Sequence, residues 1–246
     1  MVLRDPFNRF VYQVRGSCSD ETALIVKQMS TSGLKKFGVF FQNDAYGKAG
    51  LSGVTLALAG IGLKPVAQAS FERNIVDVAG AVKTLVEAMP ESIEQAGSDK
   101  ACAPFIRQAR KAGFGCTFYN VSFVGTKTLS NDLGKEAAGA VVCQVMPSPY
   151  KAAKPITRDF TEAINAGGKD VQANFSSMEG YVAARVFVEG LKRTGSKLTR
   201  ESLITGLDFI ADQSLGGFQV NFGPNDHVAS SFVEMSLLTG DGRIRT

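Results

Sequence analysis

The feature that most constrains the fold is an alternation, from Lys36 onward, of short apolar runs with segments of helical period. Residues 37–41 form a continuous apolar run, and residues 66–71 form the next one. The clearest helical pattern follows, with apolar residues at positions 78, 82, 85, 86 and 89. Parallel strands joined by crossover helices produce this alternation. The sequence therefore predicts an α/β protein.

The same pattern predicts further strands at residues 92–96, 117–121 and 141–146, with helices at 102–112 and 125–133. The strand at 92–96 is unusual, because Glu94 and Gln95 would lie in a buried parallel sheet. Pro104 falls where the next helix should already be running. We therefore expect residues 97–101 to form an extended loop.

After the proline pair at positions 147 and 149, the pattern changes to consecutive helices at residues 156–166, 177–193 and 199–207. Two β signals end the chain, at 217–222 and 232–238, and the turn residues at 223–226 favour a chain reversal between them. A domain boundary is expected at the proline pair.

Charge and composition exclude several classes of protein. Lys and Arg number 27 against 23 Asp and Glu, which gives a net charge of only +4 and argues against a nucleic-acid partner. No stretch approaches the roughly 20 apolar residues of a membrane span, so we expect no membrane insertion.

Motifs for catalysis and metal binding are absent from the sequence. The four cysteines form no CxxC pair and have one histidine, His227, to assist them, so neither a metal site nor a cofactor is expected. There is no GxSxG, Walker or HExxH motif. We expect His227 to be a surface or hinge residue and the protein not to be an enzyme.

The loops that follow the predicted strands are the expected place of function, because ligands in open α/β sheets bind outside the carboxyl ends of the strands. These loops carry Tyr46, Ser98, Asp99, Ser122 and Phe123. Their hydroxyls, carboxylate and aromatic rings suit recognition of a small polar molecule. Three of them also have purely structural explanations, since Tyr46 could pack the loop, Asp99 could cap a helix and Ser122 could start one.

Five strings resemble one protein family. They are QNDAYGK at 42–48, FIRQARKAG at 105–113, YNVSFVG at 119–125, MEGYVAA at 178–184 and GFQVNFGP at 217–224. In this order they are similar to the type I periplasmic binding proteins, in the leucine/isoleucine/valine-binding branch. The resemblance implies two Rossmann-like lobes with parallel sheets, joined by a three-crossing hinge, with a solute held in the interlobe cleft.

The resemblance also implies which parts of the lobes are present. Residues 1–16 and 147–227 would form a partial N-terminal-type lobe, and residues 17–146 and 228–246 a nearly complete C-terminal-type lobe. The first lobe would be incomplete, because family members carry further residues before the equivalent of Leu3. An export signal is expected in that absent region.

Site residues follow from the resemblance position by position. Tyr46 matches the aromatic residue that covers the ligand, and Ser98 a position that is usually aromatic or hydroxylated. Ser122 stands where amino-acid binders often carry the glutamate that pairs with the ligand ammonium. Asp99 could replace that missing charge.

Weaker candidates lie in the first lobe. Arg15 stands at the first crossing, and Phe175 and Ser177 precede or begin the long helix of that lobe.

The implied function is that of a periplasmic solute receptor for an ABC importer, with the transporter permease as partner and an amino acid or related solute as ligand. Two alternatives stay open. One is a ligand-sensing domain of a signalling system, and the other is a small-molecule α/β enzyme.

Overall fold

The computed structural model describes residues 4 and 6–246, apart from the side chain of Asp99. The chain forms two compact units. Unit 1 contains the described residues up to Gly16 together with Val145–Phe232, and unit 2 contains Ser17–Gln144 and Val233–Thr246. The chain therefore passes between the units three times, as the resemblance implies.

Unit 2 is built on one seven-stranded sheet with the strand order β2-β1-β3-β4-β5-β8-β9. The strands are β1 (Phe37–Gln42), β2 (Ala67–Phe71), β3 (Ser92–Ala96), β4 (Thr117–Asn120), β5 (Val141–Gln144), β8 (Glu234–Leu238) and β9 (Ile244–Arg245). The first five strands pair in parallel, and β8 and β9 continue the sheet in antiparallel pairing. The prediction of an α/β fold with a mainly parallel sheet is confirmed.

Helices cover both faces of this sheet. The helices of unit 2 are α1 (Cys18–Thr31), α2 (Ala45–Ala59), α3 (Ala79–Glu87), α4 (Asp99–Lys111) and α5 (Thr126–Leu133). One core contains Ile25, from α1, and Val54, from α2, whereas the other core contains Leu85, Phe105 and Leu129, from α3 to α5. Such burial on both faces explains the continuous apolar run in β1.

Helix α1 was not predicted, although its start carries a recognisable signal. The Ser17 hydroxyl accepts a hydrogen bond from the Asp20 amide at 3.1 Å, and the Ser17 amide donates to the Asp20 carboxylate at 2.7 Å. This reciprocal capping satisfies amides that have no partner inside the helix.

The expectation of an extended loop at residues 97–101 is wrong. Helix α4 begins at Asp99, and the Ser98 carbonyl accepts hydrogen bonds from the amides of Ala101 and Cys102. Pro104 lies inside the helix. Phe105 and Ile106 directly follow the proline and are fully buried, so core packing outweighs its local cost.

Unit 1 contains α6 (Pro155–Ala166), α7 (Phe175–Lys192), α8 (Arg200–Asp208) and a hairpin of β6 (Gln213–Leu215) with β7 (Phe218–Val220). The two β signals near the chain end therefore do not pair with each other, because β7 pairs with β6 and β8 pairs with β5. Strand β6 is short and was not predicted.

His227 is not a surface residue. It is buried in unit 1, where its Nε2 lies 3.0 Å from Asp208 Oδ1 and its ring stacks on Tyr12 with centroids 3.8 Å apart. The Tyr12 hydroxyl also donates to Asp208, at 2.5 Å. The histidine therefore belongs to the packing of unit 1.

Candidate functional site

The carboxyl ends of β1, β3 and β4 lie side by side at one edge of the unit 2 sheet. Phe41 is in register with Ala96, and Gln95 is in register with Asn120. In the sheet, β2 lies on one side of β1, whereas β3 and then β4 lie on its other side. The direction in which successive strands are added therefore reverses between β1 and β3. Ligands bind at such a reversal in open α/β sheets.

The loop after β1 is held in place by Asp44, the N-cap of α2. Its carboxylate accepts hydrogen bonds from the amides of Tyr46 and Gly47, both at 3.0 Å. Burial alone would raise the pKa of Asp44, but the hydrogen bonds from Gly47, Gln42 and Tyr46 lower it overall. Asp44 therefore acts as a charged cap that fixes Tyr46 in the first turn of α2.

Tyr46 meets Phe123 across this edge. The two rings are T-shaped, with centroids 5.2 Å apart and an interplanar angle of 70°. Tyr46 is half-buried, and Phe123 is 62% exposed. Two loops that are distant in sequence thus place an aromatic pair at the edge, which offers contact area for a small molecule.

Ser122 begins a short 3-10 helix, Ser122–Val124, directly before Phe123. Its amide donates to Glu21 Oε2 at 2.6 Å and its hydroxyl donates to Glu21 Oε1 at 3.0 Å. Glu21 lies in the first turn of α1 and is 1% exposed. A buried carboxylate therefore stands behind the serine that the sequence singled out.

Glu21 was missed by sequence reasoning. It precedes Ser122 by 101 positions, and it falls in a helix that the sequence pattern did not predict. No local pattern couples the two residues, because their contact depends on how α1 packs on the sheet.

Ser98 and Asp99 follow β3 at the same edge. Ser98 is the N-cap of α4 and is half-buried, and within the described part of the chain its side chain makes no capping hydrogen bond. The side chain of Asp99 lies outside the described residues, so its expected role at the site stays a prediction.

The three candidates in unit 1 have structural roles there. Arg15 forms an ion pair with Glu179 at 3.3 Å. Phe175 packs edge-on against Tyr150 with centroids 5.7 Å apart. Ser177 completes the N-terminal cap of α7, since its hydroxyl accepts from the Asn174 amide and donates to the Gln172 carbonyl, both at 2.9 Å. A ligand contact by these residues stays a prediction.

The described part of the chain contains no group of three or more His, Cys, Asp or Glu side chains that could hold a metal ion. In the same residues, no helix has the length and apolar character needed to cross a membrane.

Comparison with protein families gives one match, in which residues 4–238 fit the periplasmic binding protein family. A comparison with curated proteins gives no significant match.

Solved structures with the same fold include two that are 30% identical to this chain. A possible leucine/isoleucine/valine-binding protein from Rhodopirellula baltica superimposes with a TM-score of 0.91, covering 95% of this chain and 65% of that one. A substrate-binding periplasmic protein from Ralstonia solanacearum gives a TM-score of 0.89, with coverage of 96% and 68%. The chain spans about two thirds of the length of these relatives.

A structure with lower sequence identity is similar to this chain in fold only. It is a branched-chain amino acid ABC transporter protein from Thermus thermophilus with bound valine, 17% identical, with a TM-score of 0.86 and coverage of 100% of this chain and 68% of that one.

Proposed function

Because the chain belongs to the periplasmic binding protein family, we propose that it serves as the solute receptor of an ABC importer. In this role it binds an amino acid or a related small organic solute and releases it chemically unchanged. The observation that carries the proposal is the grouping of Tyr46, Phe123 and Ser122 at the sheet edge where the strand order reverses.

The chemistry of this edge favours binding. The Tyr46 and Phe123 rings supply apolar contact, and the Ser122 hydroxyl supplies a polar group of fixed orientation. Small-molecule sites combine apolar surface with a few oriented polar groups in this way.

The partner and the location follow from the same proposal. A receptor of this family works in the periplasm and delivers its solute to the permease of the transporter.

NMR titration of the ¹⁵N-labelled chain with L-valine and L-leucine tests the proposal. The method also detects weak binding, with dissociation constants in the millimolar range. We expect shifts of the Tyr46, Phe123 and Ser122 amides. The variant F123A should weaken binding about tenfold, corresponding to about 1.4 kcal/mol, because it removes aromatic contact area.

Phe209 provides the matched control, since it is 74% exposed and lies at the end of α8 in unit 1. F209A should leave the affinity unchanged. Equal affinity of F123A and the unmodified chain would place the site elsewhere. Shifts confined to other residues would contradict the proposed site as well.

A further inference from the structure

Ser122 carries no charge, yet a buried charge lies directly behind it. Both carboxylate oxygens of Glu21 engage this one residue, Oε2 through the amide and Oε1 through the hydroxyl. Glu21 is almost fully buried, so a solute at the sheet edge reaches Ser122 first.

The hydrogen bond from Ser122 fixes the polarity of its hydroxyl. An ionised carboxylate accepts hydrogen bonds and cannot donate them. The Ser122 hydroxyl has a single proton, which it gives to Glu21, and it therefore acts as an acceptor towards any further polar group. A hydrogen bond to a charged group is also stronger than one between neutral groups.

The negative charge of Glu21 acts on other buried groups nearby. Burial is the main cause of the raised pKa values of Glu94 and Cys143, and the charge of Glu21 raises both further. A charge surrounded by buried groups is poorly screened by solvent, so an ionised Glu21 would also act on a solute atom beyond Ser122.

We infer that Glu21 is a specificity-determining residue of the proposed site, because it holds Ser122 as a hydrogen-bond acceptor and places a negative charge behind it. The site thereby favours a solute that presents an ammonium group to Ser122 over one that presents a hydroxyl or a carboxylate. This inference rests on the proposed function and names Glu21 as the residue that sets the preference at that site.

A purely structural role for Glu21 is the competing explanation. Its carboxylate also caps the 3-10 helix Ser122–Val124 through the Ser122 amide. A cap alone would affect stability and would affect all solutes equally. Selectivity between matched solutes therefore separates the two explanations.

The experiment compares L-valine with L-2-hydroxyisovalerate, which has a hydroxyl in place of the ammonium group, by NMR titration of the full chain. The variants are E21Q, S122A and their combination. The amide introduced by E21Q can donate to the Ser122 oxygen, which turns the hydroxyl proton outward. Glu87, an exposed residue at the end of α3, gives the control E87Q.

We expect the unmodified chain and E87Q to bind L-valine at least about tenfold more tightly than the hydroxy acid, a preference of about 1.4 kcal/mol. E21Q and S122A should each reduce this preference about tenfold. The combined variant should reduce it no further than either change alone, because both act through one hydrogen bond. Thermal unfolding of each variant establishes that it is folded.

Three results would overturn the inference while leaving the proposed function standing. They are an E21Q variant that keeps its preference, an E21Q variant that weakens both solutes by the same factor, and a wild-type chain that binds both solutes equally. Should E21Q fail to fold, S122A decides alone, and a retained preference in S122A overturns the inference. Binding of neither solute by the unmodified chain would instead reject the proposed function for amino acids, and the role of Glu21 with it.

Discussion

Glu94 is the residue most at odds with its surroundings. It lies in the central strand β3, is 1% exposed, and stands in register with Val39 and Tyr119. Among the described residues, neither of its carboxylate oxygens has a hydrogen-bond partner. Burial, assisted by the charge of Glu21, raises its pKa well above the usual range. The folded protein therefore keeps Glu94 protonated under conditions that ionise an exposed glutamate.

Replacing Glu94 by valine should stabilise unit 2. The unfolded chain loses the Glu94 proton above about pH 4.3, whereas the folded chain retains it, so the free energy of unfolding falls as the pH rises above that value. E94V removes both the buried polar group and its titration. We expect a gain of about 1–3 kcal/mol at pH 7.5 and a flatter pH dependence.

Urea unfolding of E94V, E87Q and the unmodified chain at pH 5 and pH 7.5 measures this effect. E87Q should retain the pH dependence of the unmodified chain. A loss of stability in E94V at pH 7.5, or an unchanged slope with pH, would contradict the expectation that a buried, protonated Glu94 destabilises unit 2.

At the scale of the elements, helix α2 approaches the sheet so closely that glycines are required. A Cβ atom at Gly47 would lie 2.0 Å from the Gln42 carbonyl oxygen, and one at Gly50 would lie 2.4 Å from the Ala96 Cβ. The string QNDAYGK thus has a physical basis, since Asp44 caps the helix and Gly47 lets its first turn reach the end of β1. The position of Tyr46 depends on both residues.

The variants G47A and G80A should have opposite effects. The methyl group at position 47 meets backbone atoms that cannot move freely, so we expect a loss of about 1–3 kcal/mol. Gly80 lies in α3 with open space around it, and alanine there should stabilise by up to about 1 kcal/mol through the unfolded state. Denaturant unfolding measures the stability of both variants. If G47A were as stable as the unmodified chain, the close packing of α2 on β1 would be refuted. The NMR chemical shift of the Tyr46 amide should change in G47A and stay the same in G80A.

At the scale of the whole molecule, unit 2 builds both of its apolar cores from its own residues. Unit 2 completes its sheet by pairing β5 with β8, and Val142 and Leu238 are fully buried beside that pairing. Unit 1 leaves an apolar groove of about 370 Å³, lined by residues that include Phe10, Phe187 and Leu203. The side chain of Phe187 is 49% exposed.

Unit 2 should therefore fold without unit 1. Gln144 and Glu234 are cross-strand partners, so a two-residue Asn-Gly turn in place of residues 145–233 would join β5 to β8 as a hairpin. We expect this shortened protein to unfold in a single cooperative transition and to give a dispersed NMR spectrum. A collapsed state without fixed side-chain packing would show that unit 2 requires contacts from the rest of the chain.

The sequence by itself determined the α/β class, the parallel strands and the loops that carry Tyr46, Ser98 and Ser122. These features depend on local periodicity and turn chemistry, which a single segment contains. Tertiary structure alone decided that α4 continues through Pro104, that β8 pairs with β5, and that Glu21 holds Ser122. Each of these results depends on burial between segments distant in the chain, and the free energy of that burial exceeds local preferences that a sequence pattern can record.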